Sequence, residues 1–224
     1  MRALLLLATP LALAACGGEA PEEAPEPSPP VAQPRSLAPA DLDLSTLGGK
    51  IVGPQGPEVE TSLTAGGREI ATMVSFVACP EEVMECVPDA MPEGTTYTYV
   101  HQITLAEADD GDALPEDGPE AIENPPTLLR TTEKAHGFTR AVGYSNAQAS
   151  EALGDADAIG ITIDDGRLIW RVTRGEGWTP GTTLTFWWQS TLPPAGPAES
   201  YLLEVDGNQA TANGPFPAEP NTAE

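Results

Sequence analysis

Apolar and polar positions alternate with a period of two over most of the chain beyond residue 50, the period of a strand with one buried face. In TTYTYVHQITL (95–105), Tyr97, Tyr99, His101, Ile103 and Leu105 share one face, and the threonines, Val100 and Gln102 share the other. In AIGITIDDGRLIWRVT (158–173), Ile159, Ile161 and Ile163 alternate, then Leu168, Trp170 and Val172. Asp165-Gly166 lies between these runs and predicts a tight hairpin, because such a turn needs residues that tolerate positive φ. TTLTFWWQS (182–190) and ESYLLEV (199–205) read as two more strands. KIVG (50–53), EVETSLT (58–64), REIATMVSFVA (68–78) and GFTRAVG (137–143) read as earlier ones. One helix is predicted over SNAQASEAL (145–153), where Ser145 and Gln148 have capping-box spacing. Many short strands, close turns and a single helix predict a mainly β fold, an antiparallel β-sandwich over residues 41–213. The segment 214–224 contains proline and is expected to be a disordered tail.

Alternation also divides the tryptophan pair in TLTFWWQS. Leu184, Phe186 and Trp188 point one way, and Thr183, Thr185, Trp187 and Gln189 the other. Trp188 therefore belongs to the core. Trp187 has polar neighbours, and there are two ways to accommodate it. It is an exposed platform on which a sugar ring stacks, with Gln189 hydrogen-bonding alongside and Trp178 as a second platform. Alternatively it is covered, with the nearby TLPPAGP (191–197) as the expected cover. Tryptophan is usually well buried, which favours the cover.

The N-terminus adds an address. Arg2 is followed by an apolar run to Ala15, too short to span a bilayer, and the run ends in Leu13-Ala14-Ala15-Cys16. A charged start, an apolar stretch, small residues and then cysteine resemble the signal and lipobox of bacterial lipoproteins. The resemblance implies cleavage of residues 1–15 and lipid on Cys16, with the membrane as partner. Two or more acyl chains hold a protein stably, whereas one does so only marginally. Gly17 stands where an aspartate would imply retention at the inner membrane, so the resemblance implies the outer membrane, facing periplasm or exterior. Residues 16–40 read as a spacer. Seven of residues 17–40 are proline and four are glutamate, and a Pro-rich chain of this length reaches roughly 70 Å.

With Cys16 assigned to lipid, Cys79 and Cys86 remain as a pair. An even count in an exported protein favours a disulfide, and a six-residue gap without a nearby histidine disfavours a metal or redox pair. The charge excludes one large class of partner. With 34 Asp and Glu against 10 Lys and Arg, the net charge is −24, which repels nucleic acid.

The remaining chemistry is sparse. GYSNA (143–147) resembles the G-x-S-x-G nucleophile elbow, with a strand before Ser145 and a helix after it. Ala147 replaces the last glycine, and both histidines, His101 and His136, precede the serine, so helix capping is the simpler role. His101 lies on an apolar strand face and is expected in the core. No histidine pair has metal-ligand spacing, so no zinc site is expected. Asp155-Ala156-Asp157 echoes the start of an EF-hand loop, but Ile159 and Gly166 stand where that loop needs oxygen ligands. Asp109, Asp110 and Asp112, in the acidic stretch 106–126, are candidate calcium ligands, although such runs are more often solvated loops. No other cofactor is expected.

The reading that follows is a lipid-anchored cell-envelope protein carrying a non-enzymatic structural or ligand-binding β-domain, with an envelope polysaccharide or protein as partner. A carbohydrate- or calcium-dependent binding module and a hydrolase using Ser145 are the alternatives.

Overall fold

A computed structural model describes residues 33–107, 127–175 and 177–219. Two antiparallel six-stranded sheets face one another. The first contains β1 (Arg35–Leu37), β8 (Ile159–Asp164), β9 (Arg167–Val172), β6 (Leu128–Thr131), β11 (Pro194–Val205) and β12 (Asn208–Pro217), in that order. The second runs β2 (Leu47–Lys50), β4 (Arg68–Pro80), β5 (Tyr97–Leu105), β10 (Thr183–Ser190) and β7 (Phe138–Tyr144). Its sixth strand, β3 (Val59–Ala65), pairs with the first half of β4 on the edge that β2 takes further along. The fold is thus the mainly β sandwich that the alternation predicts, with one α-helix among the described residues, α1 (Asn146–Leu153).

The core lies between the sheets, and the faces follow the predicted alternation. Trp188 stacks on Tyr99 across the β5–β10 pair, with ring centroids 4.4 Å apart, and its far side meets Phe216 of the opposite sheet at 5.7 Å. Trp170 and Phe186 meet edge to face across the same gap at 6.1 Å. Trp178, one of the two suggested sugar platforms, is buried against Phe186. The Asp165-Gly166 turn has φ of 45° and 79°, both positive as a tight two-residue hairpin requires.

Three boundaries differ from the sequence expectation. Residues 35–37, assigned to the spacer, form β1 and pair with β8. The segment from 191 does not fold back as a cover: from Pro194 onward it is the first part of β11, paired with β12. The domain does not end at 213 either, since β12 continues to Pro217 and buries Phe216. Asp206-Gly207, with φ of 49° and 74°, makes the β11–β12 hairpin. Its second strand has a faint apolar pattern because its inward positions are Ala210, Ala212 and Gly214. Those small residues leave room for Tyr201, and a Cβ on Gly214 would lie 2.8 Å from that ring.

Cys79 and Cys86 form the expected disulfide, with Cα atoms 5.6 Å apart. Closing so short a loop stabilises the fold by about 2.5 kcal/mol in the chain-entropy account. Cys16, Asp109, Asp110 and Asp112 lie outside the described residues.

Candidate functional site

The outer face of the second sheet, where Trp187 lies, brings sequence candidates together among the described residues. Trp187 is only 5 % exposed and packs with Phe76, Ala78 and Val100 in one buried apolar cluster, with Ala141 of β7 against it. Their cover is residues 41–46, just upstream of β2. This strap brings Leu42 down onto the patch, and Leu47 follows at its far end. At one end of the strap, Ala40 bonds to the edge of β7: its N–H donates to the Val142 carbonyl at 3.0 Å, and its carbonyl accepts from Tyr144 at 3.3 Å. At the other end the chain enters β2, on the opposite side of the sheet. Four strand spacings of about 4.8 Å separate β7 from β2, about 19 Å in all. The strap does not cross fully extended, because Leu44–Thr46 form a 3-10 turn capped by the Asp43 side chain.

Gly143 permits the docking. A Cβ there would lie within 2 Å of the Ala40 carbonyl oxygen. The glycine that begins GYSNA is therefore required by the strap rather than by a nucleophile elbow. Its carbonyl also accepts from the Trp170 indole at 3.0 Å, which ties the strap's docking point to the core.

Ser145 is the N-cap of α1, and its hydroxyl accepts from the Gln148 N–H at 3.4 Å. Only half of a capping box forms. The Gln148 side chain accepts from the Thr185 N–H at 2.7 Å instead, and the Ser145 N–H donates to the Thr185 carbonyl at 2.9 Å. The helix start is thereby fixed to β10. Asp41 of the strap adds a second cap by accepting from the Asn146 N–H at 3.0 Å.

Between strap and helix lies a groove of about 400 Å³, lined by Asp41, Leu42, Asp43, Ser145, Gln148 and Thr185 among others. At its base the Thr185 hydroxyl is buried without a hydrogen-bond partner. Asp43 contributes a carboxylate whose pKa is held below the usual range by hydrogen bonds from the Ser45 hydroxyl and N–H. The groove thus offers acceptors, hydroxyl groups and two leucines, and its lining contains no basic side chain.

Neither histidine is bonded to Ser145. His136 is held through its backbone, its N–H donating to Lys134 at 2.9 Å and its carbonyl accepting from the Ser190 hydroxyl at 2.8 Å. His101 does meet a hydroxyl, but it is that of Ser75, directly opposite on β4, with Nδ1 at 2.9 Å. Both residues are fully buried. Nε2 has no partner, and the ring lies 4.1 Å from that of Tyr201. Desolvation pushes the imidazole pKa down to about 3, so it is neutral at pH 7. This pair sits sealed between the sheets, where a substrate has no access. Gln189 is occupied as well, its amide donating to the Thr98 hydroxyl at 3.1 Å. Among the described residues no group of three or more His, Cys, Asp or Glu is placed to hold a metal ion.

The sequence pattern pointed to Ser145 and Trp187 but not to the strap that joins them. A signal was present: Phe76, Ala78, Val100 and Trp187 are apolar on strand faces that should be wet, and DLDLSTL (41–47) carries leucines at alternate positions beside the spacer. The chain matches no protein-family model, no curated protein and no solved structure.

Proposed function

We propose that this chain is an exported, lipid-anchored cell-envelope protein whose β-sandwich is a non-catalytic binding or structural domain. The observation that carries the reading is the Cys79–Cys86 disulfide. Such bonds persist in oxidising compartments outside the cytosol. Pairing these two also leaves Cys16 as the remaining cysteine, at the position the lipobox resemblance assigns to lipid. The non-catalytic part rests on the occupations of the candidates: Ser145 caps a helix and His101 is sealed from solvent. Metabolic labelling with an alkyne-tagged fatty acid tests the anchor. The full chain should take up label and sediment with membranes, and Cys16→Ser should do neither. Label persisting on Cys16→Ser would remove the proposal.

Within such a domain, the strap groove favours a neutral hydroxyl-rich ligand of the saccharide type. The unpartnered Thr185 hydroxyl and the carboxylates of Asp41 and Asp43 match sugar hydroxyl groups, without the stacking that a buried Trp187 no longer offers. Calorimetric titration with envelope polysaccharide fragments should show binding that Thr185→Val weakens about tenfold, the loss of one to two hydrogen bonds. Equal affinity for both proteins would exclude the groove.

A further inference from the structure

Four large apolar side chains are exposed among the described residues, and three belong to one tip: Val52, Met84 and Val87. Val52 is 90 % and Met84 87 % exposed, so these two make almost no contact with their own domain. The backbone brings them together. Ile51 bridges Cys86 in parallel register, and both are buried. Their successors, Val52 and Val87, therefore emerge side by side, because successive residues in extended chain face opposite ways. Met84 is tied through its backbone to Gly49, on the chain that leads into this bridge. The Gly49 N–H donates to the Val83 carbonyl at 2.6 Å, and a Cβ on Gly49 would collide with the Met84 carbonyl oxygen at 2.3 Å. The disulfide closes the loop at its base, and Pro80, Pro88 and Pro92 stiffen its flanks. This apolar tip is held in shape rather than left to collapse, and a preorganised contact loses less entropy on binding.

The rim of the tip fixes the sign of its partner. Glu81, Glu82, Glu85, Asp89 and Glu93 lie on the same stretch of chain as Met84 and Val87, and no Lys or Arg occurs between residues 79 and 94. The neighbouring Lys50 is engaged with Glu58 and lies 3.9 Å over the Phe76 ring. An anionic lipid surface would be repelled by such a rim, and two copies of the tip would repel each other. We propose that the disulfide-closed tip docks a protein whose surface has an apolar pocket bordered by Lys and Arg. Apolar contact at the centre with charge complementarity at the edge is the usual anatomy of a specific interface. This docking is independent of the strap groove and of any ligand there.

A synthetic peptide of alternating leucine and lysine serves as the probe, followed by amide chemical-shift perturbation on the full chain. Shifts are expected at Val52 and over residues 83–87. Met84→Asp decides what drives them, because it adds a negative charge to the tip. A purely electrostatic contact tightens with that change, whereas the proposed contact weakens at least tenfold. Val52→Asp should act alike, and replacing Glu81, Glu82 and Glu85 together by glutamine should weaken binding and flatten its salt dependence. Unchanged or tighter binding by Met84→Asp, or shifts spread over the whole acidic surface, would overturn the proposal. So would insertion of the tip into phosphatidylglycerol–phosphatidylethanolamine vesicles, or a dimer in sedimentation that Met84→Asp dissociates.

Discussion

Lowering the pH from 7 to 5 is expected to cost this domain about 2 kcal/mol of stability through a single side chain, His101. In the folded protein its pKa is pushed down to about 3 by burial, whereas in the unfolded chain it titrates near the usual 6.5. Between those values the unfolded state binds a proton that the folded state refuses. Stability therefore falls as pH drops, by about 1.4 kcal/mol per pH unit below roughly 6.5, and the loss reaches about 4 kcal/mol near pH 3. Nothing in the pocket answers a positive charge: Nδ1 is against the Ser75 hydroxyl, Nε2 is unpartnered, and the Tyr201 ring lies alongside. The carboxylates held low, Asp43 and Asp165, add their own acid loss only below the ordinary carboxylate range, so the window from 5 to 6.5 belongs to the histidine. Urea unfolding at pH 7, 6 and 5 on wild type and His101→Gln isolates it. Whatever its starting stability, the variant's slope against pH should be shallower by about 1 kcal/mol per unit in this window. Identical slopes would rule the account out.

The paired tryptophans should give very different variants. Trp188→Ala is expected to cost about 3–5 kcal/mol, the range for removing a fully buried large aromatic. Trp188 is completely enclosed, stacked on Tyr99 and in contact with Phe138 and Phe216, so both sheets would have to close around the gap. Trp187→Ala removes a side chain of the same size from beneath a strap, which can settle into the space. Its cost should be smaller, about 1–3 kcal/mol, with proteolytic cleavage appearing selectively in residues 41–46. Gly143→Ala attacks the same strap from its docking point and should also raise strap cleavage, since Ala40 must move away from the new methyl group. Urea midpoints and limited proteolysis measure both effects. A Trp187→Ala variant as unstable as Trp188→Ala would mean that the strap is an integral part of the core.

Much of the fold was legible because a strand's period is local. The alternation in residues 95–105 and 182–190 placed Tyr99, His101, Phe186 and Trp188 inward, and all are buried there. Asp165-Gly166 marked its hairpin because few residue pairs accept positive φ. β12 escaped notice for an equally local reason: its inward alanines and glycine have little apolar signal, and Tyr201 supplies the volume from the neighbouring strand. The candidate site was only half legible. Ser145 as a helix cap followed from its spacing to Gln148, but the diversion of the Gln148 side chain to Thr185 required β10 to lie alongside.

The sequence by itself determined which residues face each side of most strands, where the tightest turns lie and which cysteines pair, because these depend on neighbours a few positions away. Only the tertiary structure decided what covers Trp187. The nearby proline segment continues into β11, and the cover is supplied by residues 41–46, about 140 positions upstream. That choice depends on a gap left by a missing Cβ at Gly143, into which the Ala40 carbonyl fits. Strand register likewise set Ser75 opposite His101 and closed both off from water. Contacts of this kind join residues whose complementarity appears only once the sheet has formed.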